Sequence, residues 1–209
     1  MPLLIYQSNF TNTSRLLIWK AIESTPELEK MIEWNEELTS KYESIKLEKR
    51  RREWLVARIL LKIALPDAIL YFLPSGKPML EGRLHISISH CGDLGGIVIS
   101  EIPVGLDIQG VDEKLEKIST RFCHPKELHR AMEQNEFLDY ITIIWSAKEA
   151  VFKYFGEQLT FNEDMIIRPF SIDQEQLICD YKGVHGEFIF TLQHILLKGY
   201  HIVMTVGHD

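Results

Sequence analysis

The 209 residues include three cysteines, Cys91, Cys123 and Cys179, and no two of them form a C-x-x-C pair. An odd count without that spacing indicates neither a disulfide framework nor a zinc site, and fits a reducing compartment best. No apolar run approaches bilayer-spanning length, and Met1-Pro2-Leu3-Leu4-Ile5-Tyr6 is too short and turns polar too soon for a secretory signal. A soluble, cytoplasmic protein with no membrane partner is therefore expected. Positive charge is in deficit as well. A formal net charge of −7 argues against a general nucleic-acid binder, whose affinity rests on a basic surface that releases counterions. The chain has no P-loop, no protein-kinase signature and no nucleophile elbow around Ser89-His90-Cys91, so neither an ATP-dependent phosphotransferase nor a serine hydrolase is supported.

What is present is ordinary globular composition, 45% hydrophobic and 25% charged, with no sign of disorder. Pattern places a short strand at Leu3–Tyr6 and helices over Pro26–Ser44 and Leu47–Leu65, the latter ended by Pro66. A strand at Ala68–Leu73 and a Pro74-Ser75-Gly76-Lys77-Pro78 turn follow, then strands at Leu84–Ser89 and Gly96–Ser100. Beyond Pro103 the order returns: a strand at Val104–Gln109, helix over Lys114–Met132 broken near Pro125, and a helix over Phe137–Phe155. Four strand-like segments close the chain, Met165–Ile172, Gln176–Tyr181, Glu187–Leu197 and Tyr200–Val206. Strand, helices, then hairpins thus occurs twice, which predicts an α+β fold of two similar subdomains, residues 1–103 and 104–209.

The organising stretch is Trp145-Ser146-Ala147-Lys148-Glu149-Ala150-Val151-Phe152-Lys153. At 100° per residue Ile141, Ile144, Trp145, Val151, Phe152 and Phe155 share one arc, with Lys148 inside it and Glu149 beside its edge. An ionised group on a core-facing surface needs a partner or a metal. The plainer alternative is an i, i+4 surface pair between Glu149 and Lys153. Lys148 either pairs with a carboxylate or phosphate or snorkels to the helix edge. In Val104–Gln109, period two sets Gly105, Asp107 and Gln109 on the face opposite Val104, Leu106 and Ile108. Asp107 is either a strand-end cap or half of a hard-cation site with Glu149, since Mg²⁺ takes one or two carboxylates together with substrate phosphates.

Phosphate-binding groups accompany that pair. Lys77 sits in a rigid turn, Ser89-His90 ends a strand, and the basic run Lys49–Arg52 with Arg58 supplies guanidinium groups. His90 alone would read as a structural histidine, and the basic run alone as a solvated helix end. His124, His129, His194, His201 and His208 lack metal-ligand spacing and read as surface or loop residues.

In chain order, Gly76-Lys77-Pro78, Ser89-His90, Gly105-Leu106-Asp107-Ile108, Phe122 with Glu127, and Trp145-Ser146-Ala147-Lys148-Glu149-Ala150 with Lys153 resemble the signature blocks of the 4'-phosphopantetheinyl transferase superfamily, in its longer single-chain form. The resemblance implies a pseudo-twofold monomer with coenzyme A between the halves as co-substrate, and an apo acyl or peptidyl carrier protein as partner. It implies Mg²⁺ at Asp107 and Glu149, and catalytic roles for Asp107, Glu149 and Lys153. Lys77, Ser89, His90, Lys148 and arginines of the 50–58 region, Arg51 and Arg58 among them, would contact coenzyme A. Gln109 stands where many members carry a third acidic ligand. That departure favours weaker metal binding and is the one feature pointing to an inactive coenzyme A-binding partner protein instead.

Overall fold

The computed structural model describes residues 4–11, 14–157 and 159–208. The chain opens with an antiparallel pair, β1 (Leu4–Thr11) and β2 (Ser14–Lys20). Three helices follow, α1 (Thr25–Glu29), α2 (Glu36–Ser44) and α3 (Glu48–Ala64). A two-stranded ribbon, β3 (Leu70–Phe72) with β4 (Pro78–Leu80), precedes the hairpin β5 (His85–Cys91) and β6 (Leu94–Ser100). The second set is β7 (Leu106–Gly110), α4 (Lys114–Phe122), α5 (Pro125–Met132), α6 (Phe137–Phe155), α7 (Phe161–Asp164), β8 (Met165–Ile167), β9 (Gln176–Gly183), β10 (Gly186–Leu197) and β11 (Tyr200–His208). Two antiparallel sheets result, in the orders β1-β2-β6-β5 and β7-β11-β10-β9-β8. The architecture is α+β. Of the strand expected at Leu3–Tyr6, Leu3 lies outside the described residues.

Local chemistry explains where elements begin and end. The helix expected over Pro26–Ser44 is two helices, because Asn35 starts the second by accepting the Leu38 N–H on its side chain at 2.8 Å. The break near Pro125 is a fresh start, with Pro125 in the first turn and a capping box between His124 and Glu127. Gly156, left-handed at φ 95°, ends α6. Ser14–Lys20 lacks alternation because β2 is buried on both faces. Leu17 and Trp19 join the core under α1 and α3, while Leu16 and Ile18 meet Leu106, Ile108, Ile202 and Met204 of the other sheet, with Val104 just ahead of β7.

That last cluster joins the two sheets, and their facing edges meet in an unusual way. β5 and β7 each end a sheet, and the outward N–H groups of β7 are satisfied by side chains of β5. Leu106 N–H donates to Ser87 Oγ (2.9 Å), Ile108 N–H to Ser89 Oγ (3.0 Å) and Gly110 N–H to Cys91 Sγ (3.3 Å). A strand edge that would otherwise be open is thereby closed.

Two histidines expected at the surface are buried. His194 and His201 stand on inward positions of β10 and β11 in a chain from the Gln174 carbonyl (2.9 Å) through His194 and His201 (3.0 Å apart) to Asp139 of α6 (3.1 Å). Burial lowers the pKa of both. Histidine on an amphipathic strand does not declare which face it takes.

Candidate active site

Helix α6 lies directly on β7, and one residue permits it. A Cβ at Gly105 would collide with the Ala150 carbonyl oxygen and stand 2.8 Å from the Tyr154 nitrogen. With glycine there the helix approaches closely enough to set Glu149 and Lys153 over Asp107, two residues along the same face of the strand. Lys153 Nζ donates to Asp107 Oδ1 at 2.8 Å and to Ser89 Oγ at 3.0 Å, and Ser89 Oγ donates to the same Asp107 oxygen at 3.2 Å. The other oxygen, Asp107 Oδ2, is buried without a hydrogen-bond partner. Burial, and next the neighbouring Asp107 charge, push Glu149 up from 4.5 to about 7 against the opposing pull of Lys153.

An unpartnered buried carboxylate oxygen beside a second carboxylate that resists ionisation is a site short of positive charge. Its all-oxygen character suits a hard cation such as Mg²⁺. Gln109 extends along the same face of β7, and its Nε2 donates to the Gly110 carbonyl at 3.1 Å. Among the described residues no group of three or more His, Cys, Asp or Glu side chains converges as a metal cluster.

His90 joins this cluster from β5. Its Nε2 is 2.8 Å from Glu53 Oε2, which also accepts from Arg50 Nη1 at 2.8 Å, and Arg50 Nη1 is 3.3 Å from the ring. Burial is the main cause of its lowered pKa, with the charges of Arg50 and Lys153 acting in the same direction. Arg50, one of the arginines of the 50–58 region, and Glu53, which the sequence did not single out, are thus the α3 residues beside His90. The arginine run could not be phased by inspection, because successive residues point 100° apart on a helix. Arg51 instead donates to the Ile45 carbonyl (2.7 Å) and lies over the Tyr42 ring. Arg52 donates to the Glu23 and Ala21 carbonyls. Arg58 stacks 3.5 Å over the Trp54 ring on the wall of a separate cavity of about 330 Å³, bounded by Met31, Leu38, Leu61 and Leu65. Its pKa falls to about 10 through burial.

Of two other expected coenzyme A contacts, the protein takes up every donor of one, Lys148, and two of the three donors of the other, Lys77. Lys148 is fully buried, and its ammonium is surrounded by Glu127 Oε2 (2.6 Å) and the carbonyls of Phe122 (2.8 Å), Met165 (2.8 Å) and Phe161 (2.9 Å). Of the carboxylate or phosphate that this side chain required, the structure supplies the carboxylate. No N–H is left for a nucleotide, since an ammonium has three donors. Glu127 is the matching buried acid and also accepts the N–H groups of His124 and Ile167, each at 2.6 Å. Lys77 reaches across from the β3–β4 ribbon and donates to the carbonyls of Tyr154 (2.6 Å) and Phe155 (3.1 Å), capping the C-terminus of α6. Burial lowers its pKa.

Comparison with known proteins gives a consistent result. Residues 103–204 match the family model of the 4'-phosphopantetheinyl transferase superfamily. The 4'-phosphopantetheinyl transferase gsp of Aneurinibacillus migulanus is 28% identical over 71% of this chain and 63% of its own length. Enterobactin synthase component D of Escherichia coli strain K12 is 30% identical over 50% of this chain and 54% of its own. The chain therefore spans less than two thirds of the length of these relatives. The solved holo-acyl-carrier-protein synthase of Thermotoga maritima superposes with a TM-score of 0.42 at 18% identity, over 50% of this chain and 61% of that one, a likeness too distant to bear on the argument. The matched span contains both the Gly105–Asp107 strand and the Trp145–Lys153 helix, and the chain belongs to the 4'-phosphopantetheinyl transferase superfamily.

Proposed function

We propose that this chain transfers the 4'-phosphopantetheine arm of coenzyme A to a serine hydroxyl of an apo acyl or peptidyl carrier protein, with Mg²⁺ held by Asp107 and Glu149 and 3',5'-ADP released. The observation that carries this reading is the unpartnered Asp107 Oδ2 next to a Glu149 carboxyl held near neutrality. When bound, the metal supplies positive charge against the diphosphate oxygens as charge builds there. Glu149, which a bound cation would keep ionised, takes the proton of the serine hydroxyl. The serine oxygen bonds to the β-phosphorus and the bond from that phosphorus to the bridging oxygen breaks. Lys153 spends two of its three donors on Asp107 and Ser89, and the third stabilises the departing 3',5'-ADP. His90 and Arg50 offer the nearby cationic and hydrogen-bonding groups for the nucleotide phosphates.

In the same reading the chain acts as a cytoplasmic monomer. Residues 1–103 present the nucleotide contacts and residues 104–209 the metal and catalytic groups. Incubation of a carrier protein with this chain, coenzyme A and Mg²⁺ should add about 340 Da to the carrier, the mass of the arm that phosphoryl transfer delivers. Tight coenzyme A binding with no mass gain on any of several carriers would instead make it a coenzyme A-binding partner protein, the role Gln109 favours.

A further inference from the structure

We infer that Ser89 is a positioning residue that orients Asp107 and Lys153, and that its hydroxyl does not bind phosphate. The inference rests on the transferase reading for its activity measurements and on the geometry for the rest. A serine hydroxyl has one proton and two lone pairs. Ser89 gives its proton to Asp107 Oδ1 and receives Ile108 N–H (3.0 Å) and Lys153 Nζ (3.0 Å) on its oxygen. Buried as it is, no valence remains for a phosphate.

These three bonds have a directional consequence. Lys153 and Ser89 both hold Asp107 by Oδ1, which leaves Oδ2 as the open oxygen. Ile108 N–H fixes Ser89 to the residue next to Asp107 in β7. The hydroxyl therefore ties one sheet's edge, the acid and the α6 lysine together, and it sets which carboxylate oxygen is presented.

Its neighbours on β5 provide internal controls. Ser87 makes the same bond to the β7 backbone, through Leu106 N–H at 2.9 Å, and no hydrogen bond to Asp107 or Lys153. Cys91 makes the equivalent bond with sulfur, to Gly110 N–H at 3.3 Å. Sulfur can thus serve between the sheets in this fold, but it is a weak donor and acceptor and a poor replacement between a carboxylate and an ammonium.

The test crosses these two roles in the full chain. Ser87→Ala should lower the melting temperature and leave kcat and KM for coenzyme A within about twofold of wild type. Ser89→Cys should keep most of the melting temperature and lose kcat on the order of 10–100-fold, with the calorimetric Kd for coenzyme A unchanged, because misplacement of reacting groups costs rate and not affinity. Ser89→Ala should show both losses. A tenfold rise in Kd with kcat intact at saturation would overturn the inference and make Ser89 a phosphate contact. So would equal kinetic behaviour of Ser87→Ala and Ser89→Ala. If wild type modifies no carrier, it is the transferase reading that fails. The inference is then decided by a double-mutant cycle in melting temperature between Ser89→Cys and Asp107→Asn, where coupling supports it and additivity overturns it.

Discussion

Replacing Glu149 by glutamine should make the protein more stable at pH 8 and nearly indifferent at pH 4. Burial and the Asp107 charge raise the Glu149 carboxyl from 4.5 to about 7, so the folded state holds its proton where the unfolded chain has already released it. Native protein then binds more protons than unfolded protein between those two values, and stability falls as pH rises through that window. A shift of that size corresponds to about 3 kcal/mol once both states are ionised, at 1.36 kcal/mol per pH unit. Between pH 5 and pH 8 wild type should therefore lose about 2.5 kcal/mol relative to Glu149→Gln. For a chain of this length that is about 5–10 °C in melting temperature. Urea unfolding of both proteins at the two pH values measures the difference directly. His90, His194 and His201 titrate in both proteins and largely cancel in the comparison. Saturating Mg²⁺ with coenzyme A should abolish the wild-type penalty, because a bound cation favours the ionised carboxylate. A stability difference between the two proteins that does not change with pH would refute the placement of Glu149 in a desolvated, negatively charged site.

Three further outcomes follow from the same geometry. Gly105→Ala drives a methyl into the Ala150 carbonyl of α6 and should cost about 1–3 kcal/mol in urea unfolding, together with most of the transfer rate. Lys148→Met leaves Glu127 buried and unpaired and should cost about 3–5 kcal/mol, part of which Glu127→Gln in the same chain recovers. Arg50→Ala should weaken coenzyme A binding on the order of tenfold by calorimetry, as expected for one charge-assisted contact, whereas Arg51→Ala should change stability and leave that Kd in place.

The parts of this site legible from the sequence are those governed by a single element's period. The bounds of α6 coincide with Phe137–Phe155 because apolar residues recur along it at helical spacing and a glycine ends it. Asp107 shares a strand face with Gly105 and Gln109 by period two alone. Contacts between distant segments were not legible. Lys148 needs a carboxylate that Glu127 supplies 21 residues away, and no local pattern distinguishes that partner from a phosphate. Lys77 sits on a turn as its glycine and prolines indicate, yet its target is the far end of α6. Which arginine of α3 faces His90 depends on helix phase relative to a strand some 40 residues on. The Ser14–Lys20 strand and the buried pair His194–His201 escaped the pattern for a shared reason. Alternation reports a face in water, and β2 has both faces covered while the histidines are polar residues on a covered one.

The central claim is that Asp107 and Glu149 share one divalent cation beside a diphosphate. Titration of Mn²⁺, monitored by electron paramagnetic resonance in the presence of 3',5'-ADP or coenzyme A, tests it most directly. Wild type should bind one ion with coenzyme A present, and Asp107→Asn and Glu149→Gln should each lose that binding while remaining folded. Undiminished Mn²⁺ binding in both variants would contradict the claim.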